Sequence, residues 1–329
     1  MHTHVLNQKS IRKQPGLSER QYTLFEHLGT YIHTILRHYD IHPTRLERLG
    51  YGTKSAVVAV YHDEPWVLKI SAQEDLESET FFLENAHLHN IPVPRILMSD
   101  FTRKIIPFDF IFLSFVHGQP PHVFRKDARL RAGIIFGKYL ARIHRIHVDG
   151  VGNIRSHVFA HPQHAWRYLL RTSLRRKFDA LISPPTSLQQ SFLFVSHLLS
   201  DHLLTSFTPR LLHGDAGGNN YLIHRDTRNR VYKITFIDPG TWVGGDPMQD
   251  LAFTQISWNY PGFAEGVLRG YKRVHKLTQQ EQSRFETLRL FNQYWACLVS
   301  FSRGRMRWKQ MLRVFHALKK NVTHPSLIC

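Results

Sequence analysis

Residues 213–240 carry the densest motif of the sequence and read HGDAGGNNYLIHRDTRNRVYKITFIDPG. The pattern predicts a loop, a β-hairpin with its turn at residues 225–230, and a second loop. Asn220 stands at the start of the hairpin and Asp238 at its end. Antiparallel pairing therefore predicts that these two side chains lie at the same end of the hairpin.

The oxygen-bearing side chains of this motif suit phosphoryl-transfer chemistry. Asn220 and Asp238 supply hard oxygen ligands of the kind that Mg²⁺ accepts together with substrate phosphates. Asp215 precedes the pair and does not need to bind the metal, so it can orient an acceptor hydroxyl and receive its proton. The alternative interpretation is that Asp215 and Asp238 only form turns.

Short motifs follow one another in the order and approximate spacing of a known family. They are His213-Gly214-Asp215 with Asn220, then Ile237-Asp238-Pro239-Gly240, Gly245-Asp246-Pro247 and Asp250-Leu251-Ala252. The set resembles the aminoglycoside phosphotransferase and choline kinase-like family, with similarity over roughly residues 45–258. The resemblance implies a kinase that transfers the γ-phosphoryl group of Mg-ATP or Mg-GTP to a hydroxyl of a small molecule. Family members act on aminoglycosides, macrolides, choline, homoserine or sugars, so the acceptor stays open.

The resemblance also assigns roles to the residues of the motif. Asp215 corresponds to the catalytic aspartate, and Asn220 and Asp238 correspond to the magnesium ligands. Asp238-Pro239-Gly240 replaces the Asp-Phe-Gly of protein kinases. Pro239 stands where an aromatic residue is usual. This difference leaves the metal ligand Asp238 in place but argues against regulation by a movable loop.

The helix that begins after Gly245 is predicted to be scaffold. Asp246 has the form of an N-cap, Pro247 of the first helical residue, and Gln249 of the residue that closes a capping box. Asp246 and Asp250 are therefore expected to hold the metal loop in place. His144 matches a family position that supports the catalytic loop, and we expect it to be packed and hydrogen-bonded.

The first third of the chain is predicted to be β-rich. Three β-prone runs at residues 45–49, 56–61 and 66–70 indicate an antiparallel sheet. A helix over residues 76–90 and a buried strand over residues 108–116 follow.

A loop that covers a nucleotide is predicted between the first two strands. It reads Gly50-Tyr51-Gly52-Thr53-Lys54-Ser55, and Gly52 and Ser55 are its predicted nucleotide contacts. Any hairpin can carry two glycines, so the motif gains meaning only from Lys69 on the third strand. That strand is apolar, and an unpaired ammonium would be costly to bury in it.

Lys69 therefore needs a partner from the helix that follows. Family spacing selects Glu79, so that Lys69 and Glu79 orient the α- and β-phosphates of the nucleotide, and Glu84 is the alternative partner. A further alternative is that Lys69 extends its amine to solvent. The resemblance places Ser114 and Val116 at the hinge, where backbone groups meet the adenine edge.

The predicted fold class is α+β, a two-lobed protein-kinase-like fold with a small antiparallel-sheet N-lobe and a larger, mainly helical C-lobe. The nucleotide is expected between the lobes. Residues 1–44 are predicted to form a helical extension, residues 45–116 the N-lobe and residues 117–329 the C-lobe. Within the extension, a helix over residues 18–39 is expected to start at a capping box.

The chain is strongly basic, with 43 Lys and Arg residues against 25 Asp and Glu residues and a formal charge of +18. This field disfavours a polycationic acceptor, although Glu265, Glu281 and Glu286 could still line a local pocket. The basic segment over residues 306–320 is predicted to be a solvated helix with a core face. It carries no motif that reads nucleic acid. The second hypothesis is a catalytically silent kinase-like module that binds an anionic partner through its basic tail, the Arg and Lys residues that follow Glu286.

Composition sets the remaining expectations. No apolar stretch approaches the length of a membrane span, and the N-terminal residues have no apolar signal-peptide core. A cytoplasmic protein is therefore expected. Cys297 and Cys329 are predicted to be free thiols, and no His or Cys grouping has the spacing of a zinc site.

Overall fold

A computed structural model describes residues 18–50, 54–73, 76–153, 162–200, 202–257, 259–305 and 307–320. The chain divides into an N-terminal unit that ends at His117 and a C-terminal unit that begins at Gly118. Among the described residues, no helix has both the length and the apolar character of a membrane span. The limits predicted for the three domains stay predictions.

The N-terminal unit is built on an antiparallel sheet. Its elements are α1 (Glu19–Glu26), α2 (Leu28–His38), β1 (Arg45–Gly50), β2 (Ser55–Tyr61), β3 (Trp66–Ser71), α3 (Leu76–Leu88), β4 (Ile96–Asp100) and β5 (Asp109–Ser114). The strands lie in the order β1-β2-β3-β5-β4, each antiparallel to its neighbour.

One apolar cluster joins the two N-terminal helices to this sheet. Helical spacing puts Leu28, Ile32 and Ile35 on one face of α2. All three are buried in one core cluster with Val60 of β2 and Phe110 of β5. The N-terminal helices therefore share a core with the sheet.

Two features of this unit differ from the sequence-based expectation. The helix predicted over residues 18–39 is two helices, because the backbone leaves helical geometry at His27 with φ −106° and ψ 17°. The predicted capping box of Ser18 and Gln21 is present. Strand β4 was not predicted, because the exposed Leu97 occupies the position where an edge strand usually carries a polar residue.

The described part of the C-terminal unit is mainly helical. Its helices are α4 (Lys126–Ile143), α5 (Pro162–Asp179), α6 (Thr186–Leu198), α7 (Pro247–Phe253), α8 (Phe263–Lys272), α9 (Gln279–Ser302) and α10 (Arg307–Lys319). Its strands are β6 (Arg210–Leu211), β7 (Tyr221–Arg225), β8 (Val231–Phe236) and β9 (Gly244–Gly245), paired β6 with β9 and β7 with β8.

Helices α4 and α8 approach each other at backbone distance. A Cβ added at Gly133 or Gly137 of α4 would collide with carbonyl oxygens of α8, and one added at Gly266 or Gly270 of α8 would collide with carbonyl oxygens of α4. Only glycine permits this contact. The close packing brings the C-terminal end of α4 next to that of α8.

Candidate active site

Lys69 and Glu79 form a buried ion pair in the N-terminal unit. Lys69 lies on β3 between Val57 of β2 and Ile111 of β5. Its Nζ lies 2.5 Å from Oε2 of Glu79 on α3, and both side chains are almost fully buried. The structure thus brings Lys69 to Glu79 rather than to solvent, while Glu84 of α3 is exposed.

The other predicted nucleotide contacts of this unit lie at strand ends. The hydroxyl of Ser55, at the start of β2, bonds across to the end of β3. At the end of β5 the Ser114 amide donates to the carbonyl of Arg95 at 2.8 Å, and Ser114 Oγ accepts from the Arg95 amide at 2.9 Å. The hydroxyl of Ser55 and the amide and hydroxyl of Ser114 are thus hydrogen-bonded to neighbouring residues of the sheet. Val116, the other predicted hinge residue, is half-buried. Gly52 lies outside the described residues.

In the C-terminal unit, Asp250 of α7 fixes the backbone of the loop that carries Asp215. Its buried carboxylate accepts hydrogen bonds from the amides of His213 at 2.6 Å and Gly214 at 2.9 Å. Nε2 of His144 lies 3.4 Å from the same carboxylate. Nδ1 of His144 lies 2.9 Å from the hydroxyl of Tyr271 on α8. Asp250 and His144 therefore act on the loop through its backbone.

Asp246 holds the start of α7. Its carboxylate accepts from the Met248 amide at 3.1 Å and from Nε of Arg284 on α9 at 2.9 Å. The predicted capping box is wrong, however. Nε2 of Gln249 donates to Oδ1 of Asn292 on α9 at 2.9 Å, so this side chain pairs across the core and does not turn back to the N-cap.

The two motif loops are joined through their backbones. The Gly240 amide donates to the carbonyl of His213 at 2.7 Å. A Cβ at Gly240 would lie 2.5 Å from the carbonyl oxygen of Gly214, whose φ of +75° is itself a conformation that favours glycine. Burial lowers the pKa of the His213 imidazole, and its Nε2 lies 3.2 Å from the carbonyl oxygen of Ile237. These contacts thus fix the positions of the two loops relative to each other.

The hairpin of β7 and β8 brings Asn220 and Asp238 to one end, as the strand pairing predicts. The Ile237 amide donates to the carbonyl of Asn220 at 3.1 Å. Asp238 follows with φ +53°, a left-handed conformation uncommon for a residue other than glycine and frequent at functional sites. Nδ2 of Asn220 donates to the carbonyl of Asp215 at 2.9 Å, which leaves the amide oxygen as a possible cation ligand.

Four aromatic rings anchor this hairpin to the helices. Phe136 of α4 packs against Tyr221 at 5.5 Å, Phe236 at 4.4 Å and Phe263 of α8 at 5.1 Å between ring centroids. All four rings are fully buried. Tyr221 directly follows Asn220, so packing of these rings fixes the backbone that carries the predicted oxygen ligands.

Asp215 lines a cavity of about 460 Å³ in the C-terminal unit. One wall comes from the segment after α7, where Oδ1 of Asn259 accepts from the Gly218 amide at 2.7 Å and Tyr260 donates to Oδ1 of Asn219 at 2.8 Å. Sequence reasoning missed these side chains because they belong to no motif.

A second wall of the cavity comes from the turn between α9 and α10. Arg303, Arg305 and Arg307 line it. The sequence-based prediction for residues 306–320 was a solvated helix with a core face. Met311 and Phe315 of α10 do form a buried face. Arg303 and Arg305, which precede this helix, line the same cavity as Asp215. That long-range contact has no local sequence signal.

Solved structures share the fold at low sequence identity. The aminoglycoside phosphotransferase APH(4)-Ia has a TM-score of 0.66 at 15% identity, over 90% of this chain and 100% of that chain. A GDP and kanamycin complex of APH(2'')-IIIa has a TM-score of 0.62 at 17% identity, over 89% and 99% of the two chains. A putative fructosamine-3-kinase from Haemophilus somnus 129PT has a TM-score of 0.58 at 15% identity, over 89% and 96%.

Sequence comparison supplies the family. No curated protein sequence matches the chain significantly, but a family model described as the phosphotransferase enzyme family (APH) matches residues 45–285. The match covers most of the chain, and the predicted two-lobed protein-kinase-like fold is confirmed by the solved structures. The chain therefore belongs to the phosphotransferase enzyme family, whose members transfer a phosphoryl group to a hydroxyl.

Proposed function

We propose that the protein is a small-molecule kinase that transfers the γ-phosphoryl group of magnesium-bound ATP or GTP to a hydroxyl. The observation that carries this proposal is the joint placement of Asp215, Asn220 and Asp238. Asn220 bonds to the Asp215 backbone and pairs with the strand that leads into Asp238. Phosphoryl transfer depends mostly on positioning and charge stabilisation, and two joined loops suit that demand.

Asp215 is the proposed catalytic residue. It is half-buried and lines the cavity, where an acceptor hydroxyl can reach it. Its carboxylate would orient that hydroxyl and accept its proton as the oxygen attacks phosphorus. Asp250 and His144 contribute by positioning the loop.

Asn220 and Asp238 are the proposed ligands of Mg²⁺. The amide oxygen of Asn220 and the exposed carboxylate of Asp238 are hard oxygen donors, and Mg²⁺ is usually bound by one or two carboxylates with substrate phosphates completing its shell. When bound, the ion would neutralise charge on the phosphates during transfer.

Lys69 is the proposed contact for the α- and β-phosphates of the nucleotide. Glu79 lies 2.5 Å from its ammonium and holds it in one orientation. Ser55, Gly52 of the covering loop, and the hinge residues Ser114 and Val116 are the further proposed nucleotide contacts. Solved structures with a similar fold include GDP complexes of an aminoglycoside phosphotransferase. GTP is therefore as good a candidate donor as ATP. We also propose a cytoplasmic location, because the proposed reaction uses a nucleoside triphosphate.

The test is a panel of alcohols, amino sugars and macrolides, assayed with magnesium and either ATP or GTP for acceptor-dependent release of ADP or GDP. Release that depends on an acceptor and disappears on chelation of magnesium supports the proposal. A protein that binds nucleotide but releases no diphosphate with any acceptor would instead be the catalytically silent module.

A further inference from the structure

The cavity at Asp215 is positively charged by its lining. Its lining includes Arg303 and Arg305, which lie between α9 and α10, and Arg307, the first residue of α10. Among its described lining residues, Asp215 is the only acid. The lining of the cavity is therefore positively charged, whereas a polycationic acceptor needs a negatively charged pocket.

The acids that could have balanced these arginines are used elsewhere. Glu265 pairs with Arg269, and Glu286 lies 2.7 Å from Arg289. Glu281 accepts from the Thr278 amide at 2.8 Å and lies 3.0 Å from His275. None of the three belongs to the described lining of the cavity. The local acidic pocket that the sequence left open is not formed at Asp215.

The arginine-bearing turn is held in place by its backbone. The Gly304 amide donates to the carbonyl of Phe301 at 2.9 Å, and the Arg305 amide donates to the carbonyl of Ser300 at 3.0 Å. The side chains stay exposed. Arg307 also begins α10, and the start of a helix is electropositive. Exposed guanidinium groups on a fixed turn are suited to bind a carboxylate or phosphate in bidentate geometry.

Resting on the proposed kinase function, we propose that the acceptor is a hydroxylated small molecule with an anionic group, a phosphate or a carboxylate, held by Arg303, Arg305 and Arg307. Its hydroxyl then lies at Asp215. The oxygen of that hydroxyl forms a bond to the γ-phosphorus, the bond from this phosphorus to the bridging β-γ oxygen breaks, the proton passes to Asp215, and the nucleoside diphosphate leaves. A cavity of about 460 Å³ has room for an acceptor of the size of a sugar phosphate.

The test measures equilibrium binding and acceptor-dependent diphosphate release with four related probes. D-Glucose 6-phosphate carries a phosphate, D-gluconate a carboxylate, D-glucose no charge and D-glucosamine a cation. The proteins are the wild type, Arg305→Gln, and Arg313→Gln as the matched control. Arg313 is an exposed arginine of α10 outside the described lining of the cavity.

The proposal predicts that at least one anionic probe binds the wild type about tenfold more tightly than D-glucose, since hydrogen bonds to charged groups are the stronger ones. Arg305→Gln should weaken that binding by about fivefold or more, and added salt should weaken it further. Arg313→Gln should change it by less than about twofold. A preference for phosphate over carboxylate, or the reverse, identifies which anion the arginines recognise.

Three results would overturn the proposal. The first is that the neutral or cationic probes bind as tightly as the anionic ones. The second is that neither anion binds measurably up to about 10 mM. The third is that Arg305→Gln weakens nucleotide binding by the same factor as it weakens anion binding. The last result would assign the arginines to the nucleotide. Turnover with only D-glucose or D-glucosamine would refute the anionic acceptor and leave the kinase function standing. Anion binding without diphosphate release from these probes or from any acceptor of the panel given under the proposed function would refute the kinase function instead.

Discussion

Replacement of Asp250 by asparagine tests how the loop that carries Asp215 is held. The carboxylate is 1% exposed and accepts the amides of His213 at 2.6 Å and Gly214 at 2.9 Å, one on each oxygen. Asparagine keeps the shape but presents one oxygen and one NH₂ group. The NH₂ group would face one of the two amide donors, so one hydrogen bond is lost and one buried N–H has no acceptor.

The expected loss follows from these two contacts. A hydrogen bond to a charged group contributes about 1.5–3 kcal/mol, and a buried donor without an acceptor costs about 1–3 kcal/mol. The two figures describe partly the same event, so we expect Asp250→Asn to lower the free energy of unfolding by about 3 kcal/mol. For a protein of this size, that corresponds to a fall in Tm of about 4 °C.

Urea unfolding gives the global effect, and amide hydrogen exchange at His213 and Gly214 shows whether the loss is local to the loop. The control is Asp149→Asn, whose side chain is 88% exposed and whose replacement should change stability by less than about 0.5 kcal/mol. If Asp250→Asn is as stable as the control and keeps both amides protected, Asp250 does not hold the loop.

Three further variants test the site. Asp238→Asn should abolish turnover at ordinary magnesium concentration with the fold retained, and turnover at the wild-type level would remove Asp238 from the metal site. Glu79→Gln removes the carboxylate that lies 2.5 Å from the buried ammonium of Lys69, so urea unfolding should show a loss of about 3 kcal/mol or more, and an unchanged midpoint would mean that this ion pair does not stabilise the fold. Gly240→Ala puts a Cβ 2.5 Å from the carbonyl oxygen of Gly214; we expect a loss of about 1–3 kcal/mol from the forced backbone shift, and a variant as stable as wild type would show that the two loops are not in close contact.

The sequence predicted the elements whose signal is local. Strands β1, β2, β3 and β5 follow β-prone runs between clear turns, and the hairpin of β7 and β8 follows from the same pattern. A partner for Lys69 could be inferred because a lysine in an apolar strand requires one, while the choice of Glu79 over Glu84 came from the family resemblance. These inferences depend on neighbours in the sequence or on one strong physical requirement.

The features that were missed depend on contacts between distant segments. Nothing near Gln249 indicates that its side chain would meet Asn292 rather than cap the helix. The approach of Arg305 to the cavity of Asp215 depends on how α9 packs in the core. Charge patterning identified a basic region, but only the folded chain shows that part of it lines the cavity.

Turnover of Asp215→Asn is the most direct test of the central claim, that Asp215 orients the acceptor hydroxyl and accepts its proton. The substitution is nearly isosteric and leaves the proposed metal ligands and Lys69 in place. We expect kcat to fall by at least about 10²–10⁴-fold, the usual contribution of a general base, while the Kd for nucleotide changes by less than about twofold. Near-normal kcat would contradict the claim, and so would loss of nucleotide binding with the fold intact, because Asp215 would then belong to the metal site.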